Sequence, residues 1–199
     1  MQKHHKNLIL TLCFFFASAT AQAANLNSSG VKTGLVAANY TGSSVATGSF
    51  VSLISLEAEV ILSQTERQNF VLTSTIALDG KETRTRYFYV GVGQRYFLNG
   101  VSQNQSGDYS QSFVDYQPNT LWYAGWDAGV SQLLLIPFGD VLASYATMGE
   151  LGASFGMRKN ITRQFSVDGR LGASIGSGVS NNSVLSQVFR GMIGVVYFF

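Results

Sequence analysis

The sequence predicts an all-β chain that forms a transmembrane antiparallel up-and-down β-barrel of eight strands. Long stretches place an apolar residue at every second position, the signature of a strand whose two faces meet different surroundings. The opposite positions are largely Gly, Ser and Thr with isolated charges, and small residues suit an eight-stranded lumen, which side chains fill. The chain also finishes on "FRGMIGVVYFF", apolar where the ends of soluble domains usually fray into polar residues. Such a finish needs a solvent or a neighbour, and a last strand in lipid that pairs with the first has both.

Residues 1–23, "MQKHHKNLILTLCFFFASATAQA", precede the strands. Lys3 and Lys6 stand before an apolar core from Leu8 to Ala17, and Ala21 to Ala23 supplies an Ala-x-Ala site, the layout of a secretory signal peptide cleaved after Ala23. Residues 24–199 are then a single barrel domain. Cys13, His4 and His5 are the only cysteine and histidines, so cleavage leaves no disulfide, thiol nucleophile or imidazole base. His/Cys metal sites go with them, and no cofactor is expected. Lys3 and Lys6 also account for the formal charge of +2, leaving a neutral balance that gives no reason to expect nucleic acid.

The strands follow in order. The first, near 31–41, is "VKTGLVAANY" and alternates poorly. The second, near 46–62, sets Phe50, Ile54, Leu56, Ala58, Val60 and Leu62 against Val51, Leu53, Ser55, Glu57 and Glu59. In the third, near 67–78, Phe70, Leu72, Ile76 and Leu78 oppose Asn69, Val71, Thr73 and Thr75, and Asp79-Gly80 signals a turn. The fourth, near 83–98, sets Phe88, Val90, Val92, Tyr96 and Leu98 against Tyr87, Tyr89, Gly91, Gly93 and Arg95, ending at Asn99-Gly100. Residues 101–120 read either as a long polar loop or as a loop enclosing a short strand near 109–116. The fifth strand, near 120–135, sets Trp122, Ala124, Trp126, Ala128 and Val130 against Tyr123, Gly125, Asp127, Gly129 and Ser131.

The sixth strand, near 141–157, mixes its faces up to Met148 and then sets Leu151, Ala153, Phe155 and Met157 against Glu150, Gly152, Ser154 and Gly156. Its "LGAS" recurs twenty residues on, in a seventh strand near 161–177 where Phe165, Val167, Leu171, Ala173 and Ile175 oppose Ser166, Asp168, Arg170 and Ser174. Residues 158–160, Arg-Lys-Asn, predict a tight turn between the two copies. The eighth strand, near 184–199, sets Phe189, Ile193, Val195, Tyr197 and Phe199 against Arg190, Met192, Gly194, Val196 and Phe198.

Runs of this length exceed the five or six residues usual in soluble sheets, whereas about 9 to 11 tilted residues cross hydrocarbon. In hydrocarbon every backbone N–H and C=O needs a partner within the protein, so a sheet there must close on itself. The rival architecture is a soluble secreted β-sandwich binding module, which would crowd charges of both signs on its polar face. An even strand count puts both termini on the periplasmic side, and with them the long 99–119 connection, against the rule of short turns there.

The leader, the alternating strands and the ending Tyr197-Phe198-Phe199 resemble the small outer-membrane β-barrel proteins of Gram-negative bacteria. That resemblance implies signal-peptide-directed export to the outer membrane and contact with its lipid and lipopolysaccharide. It also implies insertion by the barrel-assembly machinery, reading Phe199 and the alternate positions Phe189, Ile193, Val195 and Tyr197. Tyr197 and Phe199 are expected in an aromatic girdle, with Tyr96, Trp122 and Trp126 in a girdle or facing lipid.

Alternation turns Glu57, Glu59, Arg95, Asp127, Glu150, Asp168, Arg170 and Arg190 inward. They are expected to pair and fill the interior, because unpaired buried charge is costly. The alternative is a narrow pore or a small-ligand channel between acids and arginines. Barrel hydrolases and proteases need an imidazole, absent after cleavage, and the two-residue spacing of Glu57 and Glu59 arises in any inward face with two acids. No enzymatic activity is expected. The expected role is structural, or surface interaction through the small, polar segments 41–49 and 176–183 with a ligand the sequence does not specify.

Overall fold

The structure, a computed structural model, describes residues 28–42, 45–65, 67–79, 86–100, 120–135, 144–162, 165–178 and 184–198. Eight strands run in chain order: β1 Ser28–Gly42, β2 Val45–Gln64, β3 Gln68–Leu78, β4 Arg86–Phe97, β5 Thr120–Leu135, β6 Ser144–Asn160, β7 Phe165–Gly178 and β8 Val184–Phe198. Each pairs antiparallel with the next, and β1 pairs with β8 from Ser28 opposite Phe198 to Gly42 opposite Val184, so the sheet has no free edge. One ring, rather than two packed sheets, rules out the sandwich.

Alternation places one side chain in the lumen and the next outside along every strand. On β7, Val167, Leu171 and Ile175 face out while Ser166, Asp168, Arg170 and Ser174 are buried. On β8, Phe189, Ile193 and Val195 face out against Val188, Arg190, Met192 and Val196. The outward row on β8 runs from Tyr197 to Leu185, twelve residues apart. With a rise of ~3.3 Å per residue and a tilt of ~40°, it spans about 30 Å along the axis, enough to cross the hydrocarbon core of a bilayer.

Glycine makes room for aromatic rings inside the wall. A Cβ at Gly156 would lie 2.2 Å from the Tyr123 ring, and one at Gly91 would lie 2.1 Å from the Tyr89 hydroxyl. The tyrosines lie flat across positions that only glycine leaves open.

Two expectations are corrected. β6 continues through Arg158 and Lys159 to Asn160, so the Arg-Lys-Asn segment is strand, and the turn to β7 begins at Ile161. There the segment pairs with β7, Arg158 opposite Asp168 and Asn160 opposite Ser166, and Arg158 Nε lies 3.1 Å from Asp168 Oδ2. Segment 41–49 is also mostly strand, with β1 reaching Gly42 and β2 starting at Val45. The weak first strand extends further than its pattern suggested, because both its edges are paired.

The connection from β4 to β5 leaves from the barrel end that carries Ser28 and Phe198, where the strand count had placed it. Asn99 pins its root: its Nδ2 donates to Thr120 O at 3.0 Å, and its Oδ1 accepts from the Trp122 backbone N–H at 2.6 Å. Gly100 follows at φ 84°, a conformation that favours glycine. Residues 101–119, with the short strand considered near 109–116, lie outside the described residues, as do Gly80 of the Asp79-Gly80 turn and residues 1–27.

Candidate functional site: the charged lumen

The lumen is filled in layers. At the Ser28 and Phe198 end, Phe97, Leu121 and Tyr123 pack together, the Phe97 and Tyr123 rings 5.6 Å apart. At the opposite end Val36, Leu53, Leu133, Met148 and Val188 belong to a larger apolar cluster. Between and against these clusters lie five buried bases, Lys32, Arg95, Arg158, Arg170 and Arg190, and five buried acids, Glu57, Glu59, Asp127, Glu150 and Asp168. The described interior is therefore neutral in sum, which lets so many charges share one low-dielectric space.

These ten groups form two networks. In the first, Lys32 Nζ lies 2.9 Å from Glu59 Oε2, 2.8 Å from Asp168 Oδ1 and 3.9 Å from Glu57 Oε1. Arg95 grips Glu59 with both terminal nitrogens, the fork geometry that favours arginine over lysine at a carboxylate. Arg170 donates to Glu57 Oε2, which also accepts from Thr75 Oγ1 at 3.3 Å. Asp168 takes Arg158 Nε at 3.1 Å and the Tyr123 hydroxyl at 2.8 Å.

In the second, Arg190 donates to Glu150 Oε2, to the Tyr87 hydroxyl at 2.6 Å and to Asp127 Oδ2 at 3.3 Å. The Tyr87 and Ser174 hydroxyls donate to Glu150 at 3.0 and 2.9 Å, and Tyr89 donates to Asp127 at 3.3 Å. The Tyr89 ring faces the guanidinium of Arg190, its centroid 4.3 Å from Cζ, a favourable cation–π distance. Met192 lies among the interior groups too, its sulfur 3.3 Å from Ser55 Oγ.

All eight interior residues anticipated from alternation are buried in the lumen, and every one contacts an opposite charge. The sequence reading missed Lys32 and Arg158. Lys32 was hidden in the poorly patterned first strand, and Arg158 was assigned to a turn. It also left out the hydroxyl donors Tyr87, Tyr89 and Tyr123, although Gly91, Gly129 and Gly156 around them were a signal that large side chains cross the interior. Glu57 and Glu59 do not form an acid pair, because Lys32 reaches towards both and each is held by its own arginine.

Outside, Tyr96, Trp122 and Trp126 are exposed and Tyr197 is half-exposed, its ring 4.9 Å from Phe165. Trp122 stacks on Phe155 at 5.6 Å. Polar atoms in this outer zone satisfy one another: Trp126 Nε1 donates to Gln94, Gln94 to Gln68, and Gln68 to the Tyr96 hydroxyl, at 3.3, 2.7 and 2.8 Å. Phe199 lies outside the described residues.

Filled lumen, apolar exterior and closed eight-stranded sheet together define the architecture of small transmembrane β-barrels. Among solved structures, Neisserial surface protein A superposes with a TM-score of 0.60 at 15% identity, over 86% of this chain and 97% of that one. The N-terminal β-barrel domain of Pseudomonas aeruginosa OprF superposes with a TM-score of 0.50 at 13% identity, over 87% of this chain and 98% of that one. At these identities the likeness is one of fold. No protein-family model matches the sequence, and no curated protein matches it.

Proposed function

We propose that the protein is an outer-membrane barrel with a closed lumen, acting as a structural element of the membrane or through its inter-strand connections, and neither as an enzyme nor as an open pore. One observation carries the reading: a set of ten charges, neutral in sum and each in contact with an opposite charge, is buried in the lumen together with two apolar clusters. An aqueous pore would leave such groups hydrated, whereas these are buried against one another. The non-enzymatic reading draws support from Glu57 and Glu59, each of which is occupied by its own arginine rather than paired with the other.

Residues 1–23 serve in this reading as the export signal, and the outward row Phe189, Ile193, Val195 and Tyr197 on β8 serves the barrel-assembly machinery. The apolar belt meets lipid and the acyl chains of lipopolysaccharide. Both termini face the periplasm, so the β1–β2, β3–β4, β5–β6 and β7–β8 connections face outwards, where a surface ligand would be met.

Fractionation followed by planar-bilayer recording tests the proposal. The protein is expected in the outer-membrane fraction, to migrate differently on a gel when unheated, and to give no steady single-channel current. Recovery as a detergent-free soluble monomer would overturn the membrane reading, and reproducible conductance steps would replace the closed lumen by the pore.

A further inference from the structure

A polar cluster interrupts the apolar outer wall. Gln68 of β3, Gln94 and Tyr96 of β4 and Trp126 of β5 point outward on three adjacent strands, with Gln68 opposite Tyr96 and Gln94 opposite Trp126. Their hydrogen bonds run one way, from the Trp126 indole to Gln94, from Gln94 to Gln68 and from Gln68 to the Tyr96 hydroxyl. Depth makes the cluster unusual. Tyr96 stands near the Phe198 end of the barrel, with Gln94 two residues further in and Trp126 four residues in from Trp122. At ~3.3 Å per residue and a tilt of ~40°, those offsets are about 5 and 10 Å towards mid-membrane. An amide there faces acyl chains.

The ladder satisfies only part of what it holds. Gln68 and Gln94 each spend one of two amide hydrogens within it, and the Tyr96 hydroxyl accepts without donating, so three polar hydrogens have no acceptor among the described residues. Hydrocarbon offers none, and leaving such groups bare in it is costly. Arg67 adds a charge at the shallow end. It is exposed in the turn from β2 to β3, where its backbone carbonyl accepts from the Phe97 N–H at 2.9 Å, and it has no ion-pair partner among the described residues.

From the rim inwards the wall therefore offers a cation, then a phenol and an amide, then a second amide. A glycerophospholipid in the periplasmic leaflet presents the complementary order: phosphodiester, ester carbonyls, acyl chains. We infer that Arg67, Tyr96, Gln68 and Gln94 bind one such phospholipid, with its phosphodiester at Arg67 and Tyr96 and its ester carbonyls at the two amides. The inference rests on the membrane reading above. Charge complementarity selects a phospholipid over a neutral lipid. Its acyl chains continue over the outward Phe70 and Val92, next to the ladder on β3 and β4.

The test uses the barrel folded in dodecyl maltoside micelles and titrated with dimyristoyl phosphatidylglycerol. Heteronuclear NMR follows the Trp126 indole N–H and the side-chain amides of Gln68 and Gln94. These signals are expected to shift and to saturate at about one lipid per barrel. Dimyristoylglycerol, with the same chains and no phosphate, is expected to bind at least about tenfold more weakly. Gln94→Leu puts an apolar side chain into lipid, so the fold is kept, and the affinity for phosphatidylglycerol read at Trp126 is expected to fall about tenfold. A folded barrel whose signals do not saturate, respond equally to both lipids, or are unchanged in affinity by Gln94→Leu would overturn the inference and leave the membrane reading intact. That reading falls instead if the protein is a soluble monomer without detergent.

Discussion

Glu59→Ala is expected to destabilise the folded barrel by about 3–5 kcal/mol, the cost of removing one partner from a buried, hydrogen-bonded ion pair. Glu59 receives both terminal nitrogens of Arg95 and the ammonium of Lys32, and all three side chains are essentially excluded from solvent. Without the carboxylate, Lys32 keeps Asp168, and Arg95 is left against the face of Tyr123, its Cζ 5.2 Å from the ring centroid. The first network would then hold four bases against two acids. Urea titration in micelles measures the effect. A loss under about 1 kcal/mol, the range of exposed pairs, would show that water reaches these charges and that the lumen is not closed.

Gly34→Val is expected to prevent barrel closure altogether. Gly34 lies on β1 opposite Met192 of β8, on the seam that joins the first strand to the last. A Cβ there would stand 1.9 Å from the Gly191 carbonyl oxygen and 2.9 Å from Met192 Cα, both main-chain atoms that no rotamer change can move. Relief requires the seam to open, which in lipid would expose a row of unpaired backbone groups, each costing several kcal/mol. Gly169→Ala on β7 is the matched control, because a Cβ there meets nothing within 4 Å. The variants are compared by the fraction that runs as the compact, unheated species on a gel. Normal folding of Gly34→Val would mean that β1 and β8 do not pair in this register.

Period-two alternation made the fold legible because burial inside and apolar solvent outside act on alternate residues of one chain. It located β5 to the residue and most other strands closely, since Trp122, Trp126 and Val130 can face only outward if Asp127 and Ser131 face inward. The reading failed where the pattern depends on a partner distant in sequence. Lys32 interrupts β1 as a lone charge, and its partners are Glu59 on the neighbouring strand and Asp168, more than a hundred residues away. Arg158 looked like a turn residue beside Lys159 and Asn160, and only closure of the ring brings it across to Phe97 and Phe198. Inward orientation of the eight charges could be read from sequence, but their division into two networks of unequal charge could not. Side-chain reach across the lumen decides that division, and alternation carries no information about it.

The central claim is that one face of every strand meets acyl chains and the other meets packed protein. Methyl-detected NMR of the unaltered barrel in micelles, with a lipid-soluble paramagnetic fatty acid added, tests it most directly. Methyls of the outward Val167, Leu171, Ile175, Ile193 and Val195 are expected to broaden strongly, while those of the buried Val36, Leu53, Leu133, Met148 and Val188 stay sharp. Equal broadening of both sets, or broadening of the buried set alone, would contradict the account.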